Sequence, residues 1–207
     1  MDTLLVERGL AASRSSAQGL ILSGSVRVGD VVVTKAGSRI GADEPLSVDR
    51  AERFVSRAGE KLDAALGEFG VRAEGRSCLD AGASTGGFTD VLLQRGAERV
   101  LAVDVGYGQF DWSLRNDPRV TVMERTNVRT LAAEDLPFDP DLLVADLSFI
   151  SLTVALESLL STTPALREAI LLVKPQFEAG PESVGRGGLV RDREVHISVI
   201  HSVTRYF

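Results

Sequence analysis

Hydrophobic and polar positions along the chain follow two different rhythms. From residue 77 onward, short apolar runs alternate with segments of helical spacing, so strands are expected near residues 77–80, 99–104, 120–124, 141–146 and 169–174, with helices near 86–95, 109–116, 151–160 and 192–206. The runs are almost continuously apolar, as in a parallel sheet covered by helices on both faces. The expected fold of this part is doubly wound α/β. Upstream, Ser13 is a good N-cap for a helix over 13–24, in which Ala17, Leu20 and Ile21 share one face, Arg14 and Gln18 share another, and Gly24 ends the run. Val26-Arg27-Val28 and Val31-Val32-Val33-Thr34, joined by Gly29-Asp30, and then Leu46-Ser47-Val48, read as short strands. Together they make a small α+β module over residues 1–53. Residues 54–60 read as a linker, and Leu62, Ala65, Leu66 and Phe69 form an apolar helical face that opens a second domain over 61–207.

The stretch "LDAGASTGGFTD", Leu79 to Asp90, carries the first chemistry. It passes from strand through Asp80 into a turn of Gly82, Ser84, Thr85, Gly86 and Gly87, where helical spacing begins. Glycine permits close approach of backbone to a ligand, and the opening N–H groups of a helix are free donors. Asp104, after the second strand, is placed to accept hydrogen bonds from ribose hydroxyls. That pattern suits NAD as well as S-adenosylmethionine. Asp80 tips the balance toward S-adenosylmethionine, because a carboxylate beside the turn attracts the ammonium of a methionine moiety and repels a pyrophosphate. Asn127 is either an adenine contact or a former of its loop. Tyr107 and Gln109 are expected on the same rim, and Trp112 in packing.

Asp146 ends the fourth strand and Lys174 the fifth. Ligands of open α/β sheets lie beyond the carboxyl ends of the strands, so both side chains should face the crevice, where polar groups closing apolar strands are costly unless used. By spacing alone Lys61 is a surface lysine whose stem covers apolar atoms.

Composition narrows the class. With 44% hydrophobic residues in 207, the chain can bury a substantial core, and it has no apolar stretch approaching the roughly 20 residues of a membrane span. The N-terminus lacks the marks of a signal peptide, and the single cysteine, Cys78, suits a reducing compartment; a cytoplasmic protein is expected. The net charge of −6 is unevenly spread: residues 1–60 hold 8 basic and 8 acidic side chains, the remainder 15 and 21. A nucleic-acid partner for the N-terminal part is compatible with that asymmetry. His196 and His201, five apart on one helix, share no face, so no metal site is expected.

The first 50 residues, in "LLVERGLAASRSSAQGLILSGSVRVGD" and "VVVTKAG", resemble the S4 RNA-binding domain. That resemblance implies RNA near Arg8, Arg14, Gln18 and Lys35. Together with "FVSRAGEKL", "LDAGASTGGFTD", "AVDVGYGQ", "ADLSFIS" and "LLVKPQFEAG", it makes the chain resemble the TlyA family from residue 2 to its end. These are S4-containing ribosomal RNA 2'-O-methyltransferases, also known as haemolysin A, with a Rossmann-like, FtsJ-type catalytic domain. The resemblance implies S-adenosylmethionine as cofactor, ribosomal RNA or ribosomal subunits as partner, cytidine ribose as target, and neither membrane nor metal. It also implies a Lys-Asp-Lys-Glu tetrad, whose first three members are Lys61, Asp146 and Lys174. The glutamate belongs to later strands that the sequence does not include; Glu178 and Glu182, in the glycine-rich loop after the fifth strand, are not its substitutes. Gly185, Gly187 and Gly188 read as a mobile loop able to close over RNA.

Three competing readings remain at this level: an S-adenosylmethionine- and RNA-binding protein without catalysis, an NAD-dependent oxidoreductase, and a haemolysin. The last would call for a long apolar or basic amphipathic segment.

Overall fold

The chain packs as two units, Met1–Arg53 and Phe54–Phe207, in the computed structural model, which describes residues 1–11, 13–38, 40–41, 43–48 and 53–207. In the first unit, α1 (Asp2–Glu7) and α2 (Arg14–Leu22) accompany a three-stranded antiparallel sheet of β1 (Val26–Val28), β2 (Val31–Val32) and β3 (Leu46–Val48), in the order β2-β1-β3. Ser13 caps α2 by accepting the Ser16 N–H at 3.2 Å. Leu5, Ala17, Ile21 and Val26 form its small core.

The second unit runs α3 (Ala58–Phe69), β4 (Ser77–Ala81), α4 (Gly87–Gln94), β5 (Arg99–Val103), α5 (Trp112–Arg115), β6 (Val120–Met123), β7 (Leu142–Ala145), α6 (Leu152–Thr162), β8 (Glu168–Leu171), α7 (Pro175–Glu178) and α8 (Arg193–Tyr206). Its five strands are all parallel in the order β6-β5-β4-β7-β8. The chain winds outward from β4 to β6 and then crosses to β7 on the other side of β4. That reversal opens a crevice beyond the carboxyl ends of the central strands.

Strand periodicity divides the core. Cys78, Val100, Ala102, Leu142 and Val144 pack beneath α3 and α4, against Leu62, Leu66, Phe88 and Leu92. Leu79, Ala81, Leu101, Val103, Leu143 and Ala145 face the other way, onto α6 and α8 through Leu156, Leu159, Val199 and Val203. By the same alternation Asp80 belongs to the α3–α4 face.

Four details depart from the sequence pattern. Residues 54–60 are not a linker: Phe54 is buried, the Val55 N–H donates to Asp90 at 2.8 Å, and α3 begins at Ala58. The charge-rich stretch around them hides one core aromatic. The helix expected over 109–116 is a single turn, Trp112–Arg115, whose start is fixed by the Asp111 side chain accepting the Ser113 N–H. Trp112, expected in packing, opens that turn and is 77% exposed. The fifth strand ends at Leu171, so Lys174 stands just beyond it, leading into α7. Among the described residues, no helix is long and apolar enough to cross a membrane.

Candidate functional site

The turn after β4 is the floor of the site. Gly82 has a left-handed backbone (φ +84°), and a Cβ there would lie 2.9 Å from the Asp146 carbonyl oxygen, so only glycine lets the turn pass the end of β7 this closely. The carboxylate of Asp104 braces the turn, accepting the Ser84 N–H at 2.8 Å and the Gly106 N–H at 2.6 Å. Ser84 itself is left-handed (φ 50°), a conformation uncommon for a residue with a side chain.

Two cavities open on either side of this turn, sharing Gly82, Ser84, Asp146 and Ser148 as a ridge. The first, about 520 Å³, is bordered by Thr85 and Gly87 of the turn, by Ser56 and Arg57, and by Lys61 and Lys174. The second, about 470 Å³, is bordered by Asp104, Gln109, Asn127 and Phe149.

Lys61, Asp146 and Lys174 meet at the ridge. Asp146 holds Lys174 Nζ at 2.6 Å from Oδ1 and Lys61 Nζ at 3.5 Å from Oδ2. Asp146 and Lys174 are mostly withdrawn from solvent, at 16% and 20% side-chain exposure, while Lys61 is 53% exposed. Arg57, Lys61 and Lys174 set three cations against the carboxylate of Asp146 around the first cavity, which therefore favours an anionic or electron-rich guest.

Asp80 departs from expectation. It is fully buried and borders neither cavity, because strand alternation turns it under α4. There the Thr89 hydroxyl donates to Oδ2 at 2.7 Å, while Oδ1 has no hydrogen-bond partner among the described residues. Burial pushes the carboxyl up to about 7 against the pull of the Thr89 hydrogen bonds. Asp80 therefore does not by itself distinguish one cofactor from another. Gly86 borders neither cavity either; its left-handed backbone starts α4, and a Cβ would lie 2.6 Å from Leu114. Asn127 lines the second cavity and also forms its loop, its side-chain oxygen accepting the Arg129 N–H at 3.1 Å. Gln109 reaches Asp104 at 3.3 Å, whereas Tyr107 lies outside both cavities with the Arg125 guanidinium 4.1 Å from its ring centre.

In the first unit, Arg14 and Gln18 converge on Asp2, at 3.1 and 3.0 Å, and these hydrogen bonds, Gln18 foremost, hold its carboxyl down at about 2. Arg8 donates to the Glu44 carbonyl at 2.8 Å, and Lys35 is exposed. Glu178 is engaged structurally: it accepts the Ser151 hydroxyl at 2.6 Å and the Leu152 N–H at 2.8 Å, capping α6. Among the described residues no group of three or more side chains could hold a metal ion.

Four residues at the site carried no prediction of their own. Ser56 and Arg57 precede Lys61 in "FVSRAGEKL", and Ser148 and Phe149 follow Asp146 in "ADLSFIS". Phe149 is the most conspicuous: 90% exposed, left-handed (φ 65°), its ring centre 5.2 Å from that of Phe177. No periodicity marks such a residue, since its exposure is decided by a turn.

Residues 54–207, the whole of the second unit, match the FtsJ-like methyltransferase family. The chain belongs to that family. In this FtsJ-like methyltransferase, residues 1–45 additionally match the S4 domain. A relative from Mycobacterium tuberculosis, the 16S/23S rRNA (cytidine-2'-O)-methyltransferase TlyA, is 49% identical over 99% of this chain and 77% of its own length. Hemolysin A from Brachyspira hyodysenteriae is 42% identical over 93% of this chain and 80% of its own. A solved structure from Streptococcus thermophilus superposes with a TM-score of 0.71 at 40% identity, covering 99% of this chain and 76% of that one.

Proposed function

We propose that this FtsJ-like methyltransferase transfers a methyl group from S-adenosylmethionine to a ribose 2'-hydroxyl of ribosomal RNA. One observation carries the proposal: Lys61, Asp146 and Lys174 meet on the ridge between two cavities, directly beside the glycine turn.

The residues fit the cofactor. Gly82 leaves the room that a Cβ would fill, and Ser84, Thr85 and Gly87 of the turn bring main chain to the cavity wall. In the second cavity Asp104 suits ribose hydroxyls and Asn127 an adenine edge. In the first, the Ser56 hydroxyl, which has no hydrogen-bond partner among the described residues, and Arg57 suit a carboxylate. Asp80 acts from beneath: a cation on the turn favours its ionised form. S-adenosylmethionine, when bound, supplies an electrophilic methyl group on a sulfonium, which passes to the attacking oxygen while the bonding pair returns to sulfur.

A ribose hydroxyl is a weak nucleophile at neutral pH. Lys174, the cation that Asp146 holds at rest, first loses a proton to solvent; its amine then accepts the hydroxyl proton and becomes again an ammonium that Asp146 stabilises, a role worth about 10²- to 10⁴-fold in rate. Lys61 completes the polar wall, and Phe149 offers an exposed ring against which a nucleobase can lie. Residues 1–53 supply RNA affinity, with Arg8, Arg14, Gln18 and Lys35 on the RNA side and phosphate contacts setting register. The M. tuberculosis relative's name supports cytidines of 16S and 23S rRNA as the target class.

The test is mapping of 2'-O-methylation on rRNA incubated with the protein and with Lys174→Ala. Lys174→Ala should lose methyl transfer while its cofactor affinity, measured by calorimetry, survives. Full activity in that variant removes Lys174 from the chemistry. RNA binding by the unaltered protein with no methyl incorporation would instead favour a binding role.

A further inference from the structure

Asp146 attracts Lys174 without aiming it. Its Oδ1 lies 2.6 Å from Nζ but outside hydrogen-bonding geometry, so the contact is an ion pair, and Coulomb attraction has no preferred direction. Asp146 also divides its charge between two lysines, with Lys61 at 3.5 Å. A lysine side chain has four rotatable bonds and a compact head, so attraction alone leaves Nζ free to swing around the carboxylate.

The directed hydrogen bond of Lys174 goes elsewhere. Nζ donates to Ser148 Oγ at 2.7 Å. Ser148 lies two residues after Asp146 on the loop between β7 and α6, and like Asp146 it borders both cavities. The loop is anchored at its far end, where Glu178 clamps Ser151 and Leu152. The acceptor is thus itself well placed, and its own hydroxyl proton remains available to a donor-seeking oxygen.

We infer that Ser148 is the positioning residue that aims Lys174 Nζ at the reacting ribose hydroxyl. The inference rests on the role given to Lys174 under the proposed function. Ser148 moves no proton; it restricts Lys174 to the direction in which the 2'-hydroxyl proton can reach Nζ as the oxygen attacks. Proton transfer and in-line attack both demand such alignment, and small misplacements cost rate far more than they cost binding.

The experiment compares the unaltered protein with Ser148→Ala and Ser148→Thr in steady-state methylation of rRNA, with S-adenosylmethionine affinity measured separately by calorimetry. Ser148→Ala should lower kcat by up to about a hundredfold while KM and Kd for S-adenosylmethionine stay unchanged. Ser148→Thr, which keeps the hydroxyl at an exposed position, should restore most of the rate. Wild-type kcat in Ser148→Ala overturns the inference, as does a loss that Ser148→Thr does not reverse or one matched by weaker cofactor binding. Lys174→Ala run alongside separates the two levels: if it retains turnover, the proposed role of Lys174 fails; if it is inactive while Ser148→Ala is not, only Ser148 fails.

Discussion

Asp80 shows how far one side chain can depart from its apparent role. Next to a glycine turn, a carboxylate suggests a ligand contact; on a central strand beneath α4 it becomes a buried acid held by one threonine. Its pKa, raised from 3.8 to about 7, has a defined consequence for stability. Between those values the native protein binds a proton that the unfolded chain has lost, so Asp80 makes stability fall as pH rises through this window. Below about pH 4 both states are protonated and the effect is absent. Asp80→Asn, which keeps the shape and removes the charge, should flatten stability between pH 4 and pH 7, measured as urea midpoints at fixed ionic strength. A slope as steep as in the unaltered protein would assign the proton to another group. Cys78 tells a simpler story: it is buried in β4, and burial pushes its thiol up to about 12.

Elements were legible where their pattern is repetitive. Continuous apolar runs marked all five strands of the larger sheet, and four-residue spacing marked α3 and α8, because burial on a regular element imposes a period. Short or irregular pieces escaped. α5 is one turn whose start is fixed by a single cap, and Phe54 is one aromatic among charges. The start of α6 is secured across the fold, by Glu178 from the other side of β8. That cap can be tested directly. Glu178→Ala should cost about 1 kcal/mol, the usual worth of an N-cap, as a lower urea midpoint with unchanged m. It should also reduce kcat less than Ser148→Ala does, since the loop bearing Ser148 loosens but keeps its hydroxyl. Glu178→Ala with full stability would mean that the first turn of α6 finds other acceptors.

At the scale of the whole molecule, the two units differ in what they carry. The α/β unit holds both cavities and the Lys61–Asp146–Lys174 cluster, and carries the excess of acidic over basic residues, while the small unit is charge-balanced. Residues 54–207 expressed alone should therefore bind S-adenosylmethionine with the affinity of the full chain and bind rRNA more weakly. The log–log dependence of RNA affinity on salt should also be shallower, because each lost phosphate contact removes counterion release. Equal RNA affinity and equal salt slope would place the RNA contacts within the α/β unit instead.

The sequence by itself determined the succession of strands and helices, the glycine turn, and the residue types that carry chemistry, all of which depend on local period and composition. Only the tertiary structure decided which side chains meet. Lys61, Asp146 and Lys174 lie far apart in the chain: Asp146 and Lys174 converge because β7 and β8 are neighbours with their carboxyl ends at one edge, and Lys61 reaches Asp146 from α3. The same strand order and pleat turned Asp80 inward, and a loop conformation brought Ser148 to Lys174. Periodicity is a property of neighbours along the chain; a site is a property of neighbours across the sheet, and strand order and register create those.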